Sequence, residues 1–215
     1  MFLYENQKNK LKISFFGDSI TWFGWELPYG YVQKTVKALN DRGFTVTPFP
    51  SGIKGNTTRE MLNRMDYDVL SHKPDIMFFM GGLNDIWHTN ETIEQYQENI
   101  ENIIDKAQKN KIEVILLNLT IFSEDINDQK NKKIAQYNGI LEKIAKEKKV
   151  QLIDVNKSFW EEIGKHDKTG RILTVSDGVH LNEKGNEVLA EKVIRDFSET
   201  HKPYRLLSAN KSTKK

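Results

Sequence analysis

The chain has 215 residues with 32 basic and 30 acidic side chains, a net charge of +2, and no cysteine. So even a balance gives no electrostatic basis for binding nucleic acid or an anionic membrane surface, and the lack of thiols removes disulfides, thiolate metal sites and a cysteine nucleophile. At 38% hydrophobic and 29% charged residues, the composition is that of a globular chain able to bury the core of one domain.

The first residues, MFLYENQKNKLK, lack the apolar stretch and small-residue cleavage site of a secretory signal. No later run approaches the ~20 apolar residues of a membrane helix. A cytoplasmic protein acting on a small molecule, with no nucleic acid and no membrane as partner, is the expectation. Residues 1–10 are set apart as a polar segment, 11–201 as a single domain, and 202–215, ending SANKSTKK, as a polar, basic tail.

Short apolar runs, each rich in Ile, Val, Leu or Phe, predict strands at Leu11–Phe16, Phe44–Phe49, Asp75–Met80, Ile112–Leu119 and Val150–Val155. Between them lie stretches with helical spacing: Tyr31–Leu39, Thr57–Leu70 (apolar at Met61, Leu62, Met65 and Val69), Ile93–Ala107, Ile134–Ala145 and Glu187–Phe197. This alternation predicts an α/β domain with a parallel sheet and helices on both faces. No internal repeat and no linker divides it.

In such a sheet ligands gather at the carboxyl ends of the strands, so the residues after each run carry the chemistry: GDSIT, then PSGIKGNTT, GGLND, NLTIF, and, before the last helix, SDGVHLNEKG. A serine hydroxyl attacks only when a base takes its proton, and histidine is the base suited to neutral pH. The base in turn needs a partner that fixes its tautomer. Ser19, His180 and Asp177, three residues before the histidine, meet those needs. Gly55, Asn84 and the Ser19 N–H, from three separate loops, are candidate donors to an oxyanion. Singly each motif has an ordinary reading: Gly-Asp-Ser is a good turn and helix cap, GLND an Asx-turn, DxxH a capped helix start. Their occurrence together, in order and each at the end of a predicted element, favours catalysis.

On these residues the chain resembles the SGNH hydrolases, the GDSL-like esterase/lipase/acylhydrolase family. GDSIT stands for the first block with Ser19, GIKGNTT for the second with Gly55 rather than Gly52, GLND for the third with Asn84, and DGVH for the last with Asp177 and His180. Isoleucine follows the serine where the family name has leucine. The resemblance implies a three-layer α/β/α, flavodoxin-like fold with a central, mostly parallel five-stranded sheet. It also implies a serine ester hydrolase with no metal or cofactor, working through a Ser19 acyl-enzyme. No GxSxG elbow of the α/β-hydrolase type occurs in the sequence.

Asp18 and Asp85, each beside a candidate site residue, read as structural supports that accept nearby loop N–H groups. Trp22 and Trp25, with Phe23 and Tyr29, are divided between core packing and a wall for the acyl or alcohol part of the substrate. His88 reads as a solvent-facing loop residue, with the rim of the site as the alternative. Glu94, Glu98 and Glu101 follow helical spacing as a solvated face, and no metal-ligand cluster is evident. Three functions compete: hydrolysis of small or short-chain esters such as O-acetylated carbohydrates, a lysophospholipase or thioesterase of the same family, and a non-catalytic carbohydrate-binding module on the same fold. A flavodoxin-like nucleotide site would need a phosphate loop after the first strand, which GDSITW lacks.

Overall fold

A computed structural model describes residues 10–87, 91–166 and 170–201. The order of elements is β1 (Lys10–Gly17), α1 (Ser19–Glu26), α2 (Tyr31–Asp41), β2 (Thr45–Gly52), α3 (Thr58–Asp68), a 3-10 turn (Leu70–His72), β3 (Ile76–Met80), α4 (Leu83–Trp87), α5 (Ile93–Lys109), β4 (Glu113–Leu117), α6 (Gln129–Lys148), β5 (Gln151–Ile153), α7 (Val155–Ile163) and α8 (Glu183–Thr200). The five strands form one sheet in the order β2-β1-β3-β4-β5, and every pairing is parallel. The alternation of the sequence is therefore an α/β sheet, parallel throughout rather than mostly so.

Burial follows from position in the sheet. Central β3, Ile-Met-Phe-Phe-Met, is buried at every residue, as a strand covered on both faces must be. Phe15 stacks on Phe78 and Phe16 packs on Phe79, with ring centroids 5.3 and 5.6 Å apart. Phe197 of α8 closes on Phe78 and Phe44 from one side. β2 is an edge strand, partly exposed. It runs through Pro48 and Pro50, which an edge tolerates because half of its N–H groups need no ladder partner.

Right-handed crossovers send α2 and α8, which pack together with α7, to one face, and α3, α5 and α6 to the other. The predicted helices are present, and most extend further at their ends, because caps rather than apolar spacing set the boundaries. Thr57 and Glu60 form a capping box before α3, Asp128 caps α6, and Asn182 caps α8. Three further helices, α1, α4 and α7, begin where strands or loops were expected. The last predicted strand shortens because Asp154 accepts the Lys157 N–H and starts α7 at Val155.

Register brings the site together. Gly17, the last residue of β1, pairs with Gly52, the last of β2, and with Met80, the last of β3. The GDSIT, GIKGNTT and GGLND segments thus leave the sheet side by side. They do so where the chain's winding reverses, between β1 and β3, which is where open α/β sheets form a crevice. No helix among the described residues is long and apolar enough to cross a membrane. The expectations for residues 1–9, for the 202–215 tail and for His88 lie outside the described residues.

Candidate active site

The first block is a strand that turns into a helix within one residue. Gly17 ends β1, Asp18 is the N-cap, and Ser19 is the first residue of α1. Gly17 has no room for a side chain: a Cβ would lie 2.6 Å from the Met80 carbonyl oxygen and 2.3 Å from Thr21 Oγ1. Asp18 is buried, and its Oδ1 accepts the Ile20 N–H at 2.9 Å. Burial pushes its carboxyl up to about 6, against the Ile20 hydrogen bond, which pulls it down. Ser19 is held at the rim of the sheet, where the first turn of a helix leaves N–H groups without intrahelical acceptors.

His180 arrives from the other end of the chain. Its Nε2 lies 2.9 Å from Ser19 Oγ, and its Nδ1 lies 2.6 Å from Asp177 Oδ2. The other carboxylate oxygen of Asp177 accepts the N–H groups of Val179 and His180, both at 2.9 Å. Burial pushes Asp177 up, but the His180 contact and those two amides hold it below the usual carboxylate range. The turn between them needs Gly178: its φ is +80°, and a Cβ would sit 2.9 Å from the Phe122 carbonyl oxygen. An antiparallel bridge between Thr174 and Leu181 and a 2.8 Å bond from the Val175 N–H to the His180 carbonyl close the loop behind the ring. Phe23, one helical turn beyond Ser19, sets its ring edge-on to His180 at 5.1 Å.

The second and third blocks are tied to each other. Asn84, in α4, donates from Nδ2 to the Asn56 carbonyl at 3.0 Å, which leaves one amide hydrogen for another acceptor. Asn56 Oδ1 accepts from Arg64 Nε at 2.6 Å, and Arg64 Nη2 donates to the Gly17 carbonyl at 2.9 Å. Arg64, largely buried from α3 and paired with Asp68 at 2.7 Å, therefore ties the end of β1 to the loop after β2, which Asn84 joins to the loop after β3. Burial lowers its guanidinium below the ordinary value, partly offset by Asp68. Gly55 is exposed in the turn Ile53–Asn56, at φ +78°, with open space where a Cβ would be. Gly52, by contrast, is pressed on the α1 backbone, 2.3 Å from the Trp22 nitrogen to a would-be Cβ. Asp85 accepts the N–H of Thr58 at 3.0 and 3.1 Å and also its hydroxyl. Its burial pushes it up to about 6 against those bonds.

Ser19, Asn84, Asp177 and His180 open onto a cleft of about 240 Å³ walled by Leu83, Trp87, Phe122 and Val179. Trp87 and Phe122 pack ring to ring, 4.3 Å apart. Trp22 and Trp25 are not part of this lining, a correction to the sequence expectation. Trp22 lies under Lys54, whose Nζ is 3.6 Å from its ring centre, and Trp25 packs on the core. The reason is the helical course of α1, which brings Phe23 rather than either tryptophan to His180. A second hollow of about 240 Å³ lies behind His180, lined by Phe23, Leu27, Tyr29, Val175 and Leu181. Another hollow, about 550 Å³, runs between α2 and α8 beside Arg42, Glu191 and Arg195. The serine, the histidine and the Asn84 amide converge on the cleft of about 240 Å³ beside Ser19. Among the described residues no group of three His, Asp or Glu side chains is arranged to hold a metal ion. His72 stacks on Phe49, while His166 and His201 pair with Glu162 and Glu113.

The sequence matches the GDSL-like lipase/acylhydrolase family over residues 15–188. The chain belongs to that family. This family member is 26% identical over 210 residues to an acetylxylan esterase of Geobacillus stearothermophilus, covering 86% of this chain and 93% of that one. It is also 26% identical over 218 residues to an isoamyl acetate-hydrolyzing esterase of Saccharomyces cerevisiae, covering 89% of each. Among solved structures, an acetyl xylan esterase, AlAXEase, superposes with a TM-score of 0.79 at 32% identity, covering 86% of this chain and 99% of that one. The fold expected from the motifs and the class, a carboxylic ester hydrolase, are thereby shown. Arg64, Trp87, Phe122 and Val179 were missed by the sequence reading, whereas Phe23 is among the aromatic residues that it divides between core and wall. Arg64 alone left a signal there, as a charge set among the apolar positions Met61, Met65 and Val69.

Proposed function

We propose that this esterase removes short acyl groups, acetyl first among them, from carbohydrate esters through an acyl-enzyme on Ser19. One observation carries the reading: a hydrogen-bonded line Ser19 Oγ–His180 Nε2, His180 Nδ1–Asp177 Oδ2 at 2.9 and 2.6 Å, opening on a cleft of about 240 Å³. In the first step His180 takes the Ser19 proton as Oγ attacks the ester carbonyl. Asp177 holds Nδ1–H and offsets the positive ring that results. Negative charge moves to the carbonyl oxygen, where the remaining Asn84 amide hydrogen, with the N–H groups of Ser19 and Gly55, is the proposed set of donors. His180 then returns the proton to the departing alcohol oxygen. In the second step water gives its proton to His180 and attacks the acyl carbon, releasing the acid and restoring Ser19.

Two features favour a short acyl group and a sugar alcohol. The cleft lies below the ~300–1,000 Å³ of sites that enclose drug-sized ligands, so the Leu83, Trp87, Phe122 and Val179 wall has room for a short acyl group and not for a long chain. The relatives whose names specify an ester are an acetylxylan esterase and an isoamyl acetate-hydrolyzing esterase, and acetate is the acid in both. The test is acetate release from acetylated xylo-oligosaccharides, set against lysophospholipid and acyl-thioester substrates, with the Ser19→Ala variant as blank. Faster turnover of either of the latter two would reject the carbohydrate reading.

A further inference from the structure

Glu124 lies outside the four blocks, on the loop that follows β4, yet its carboxylate gathers four hydrogen bonds from the segment leading to His180. Oε2 accepts the Ile172 N–H at 2.6 Å. Oε1 accepts the Leu173 N–H at 2.8 Å, the Thr174 N–H at 2.9 Å and the Thr174 hydroxyl at 2.8 Å. Three successive main-chain donors converging on one anion form an arrangement that a charged carboxylate favours. Burial pushes Glu124 up, but those four donors more than offset it and hold it below the usual carboxylate range.

Both ends of this contact are anchored. On the β4 side, Asn131 of α6 accepts the Phe122 N–H at 3.0 Å and donates to the carbonyls of Ser123 and Asp125, both at 2.8 Å. The Glu124 loop is therefore gripped by a helix. On the other side, Thr174 is bridged to Leu181, the neighbour of His180, and the Val175 N–H donates to the His180 carbonyl. The same β4 loop presents the Phe122 carbonyl against Gly178, inside the turn that carries Asp177 and His180. The two loops meet twice, once at Glu124 and once at Phe122, and Asp177 itself is about half exposed, with a side-chain accessibility of 47%. Asn182 holds the same segment from the α8 side, its Nδ2 donating to the Ile172 carbonyl and its N–H to the Leu173 carbonyl, both at 3.0 Å.

We infer that Glu124 is a positioning residue for the reaction: its carboxylate fixes residues 172–174, and through the Thr174–Leu181 bridge it sets where His180 Nε2 stands relative to Ser19 Oγ. The inference rests on reading Ser19, Asp177 and His180 as nucleophile, orienting acid and base. A loop residue that sets the base's position acts on the transition state rather than on substrate binding. A displacement of about 1 Å at the reacting groups is enough for a loss of about 10²-fold.

The test uses the full chain with Glu124→Ala and Glu124→Gln, assayed on p-nitrophenyl acetate and by the rate of labelling with a fluorophosphonate. The unfolding transition is recorded alongside, as is the downfield imidazole N–H resonance of the Asp177–His180 pair. For Glu124→Ala, kcat and the labelling rate fall together by about 10²-fold with KM unchanged, and the resonance broadens or disappears. Glu124→Gln keeps one accepting oxygen but turns an N–H₂ toward the Ile172 N–H, so its loss lies between wild type and Ala; it carries the test alone if the alanine variant does not fold. Wild-type kcat and labelling in a folded variant, even one that melts earlier, would overturn the inference, as would a rise in KM at constant kcat. His180→Ala, run in parallel, separates the two claims: retained turnover there would reject the assignment of the base, whatever Glu124 does.

Discussion

Asp18 is a buried carboxylate immediately before the proposed nucleophile, and replacing it with asparagine should favour the variant over the wild type more at pH 8 than at pH 4. The folded protein raises this carboxyl from 3.8 to about 6, chiefly by burial, with the charge of Asp85 adding to the rise and His180 opposing it. Between those two values the folded state holds a proton that the unfolded chain has released. The contribution of Asp18 to wild-type stability therefore falls as pH rises from about 4 to about 6 and is level above that. At about 1.4 kcal/mol per pH unit of difference, the fall is on the order of 3 kcal/mol. Asparagine does not titrate. It can keep the 2.9 Å bond from the Ile20 N–H that caps α1, but it introduces a buried N–H₂, at a cost of about 1–3 kcal/mol if no acceptor is found. That cost is the same at every pH, so the stability difference between variant and wild type should climb by on the order of 3 kcal/mol from pH 4 to pH 8, whatever its starting value. Urea unfolding at intervals across that range, followed by the fluorescence of the four tryptophans, measures it directly. A difference that stays constant with pH would show that Asp18 ionises in the fold as it does in water, and the burial argument would fail.

Ser19→Ala and His180→Ala should each abolish esterase turnover and do so to a similar degree, since members of one catalytic unit are not additive; most of the activity surviving in Ser19→Ala would remove Ser19 as nucleophile. Asn84→Ala should lower kcat by about 10²–10³-fold with KM little changed, because its amide is proposed to meet charge that exists only in the transition state. A large rise in KM at preserved kcat would instead make Asn84 a ground-state contact. Across p-nitrophenyl esters, kcat/KM should be higher for acetate and butyrate than for decanoate and palmitate. A deep acyl tunnel would add up to ~0.8 kcal/mol for each further CH₂ buried, and a steady increase with chain length below micelle formation would contradict the small cleft.

By itself the sequence determined the five strands, the five longer helices and the chemistry of their ends. Asp75–Met80 read as an inner strand because five consecutive apolar residues, Ile76–Met80, stand between Pro74-Asp75 and Gly81-Gly82. Gly17-Asp18-Ser19, Gly55-Asn56-Thr57, Gly82–Asp85 and Asp177–His180 were legible because turn and cap chemistry is written in adjacent residues, which is also why the Asp177–His180 pairing could be read from a spacing of three. The short helices α1, α4 and α7 were not legible. Two of them start at a cap, at Asp18 and at Asp154, and α4, from Leu83 to Trp87, is too short to develop a period. Everything that depends on how elements face each other was decided by the tertiary structure. The register of Gly17 with Gly52 and Met80 sets the first three blocks side by side, and the packing of α8 and its loop carries His180 across 161 positions to Ser19. The cleft wall passed from Trp22 and Trp25 to Trp87, Phe122, Leu83 and Val179, because a helix starting at Ser19 turns its side chains in directions that composition does not encode. Glu124 looks in sequence like one more surface charge, and Arg64 shows only as a charge among apolar positions, with nothing to say what it meets. Their roles come from partners at distant positions, Gly17 and Asn56 for the arginine and residues 172–174 for the glutamate. A local pattern carries no record of such partners, because only the folded chain brings those donors and acceptors within hydrogen-bonding distance.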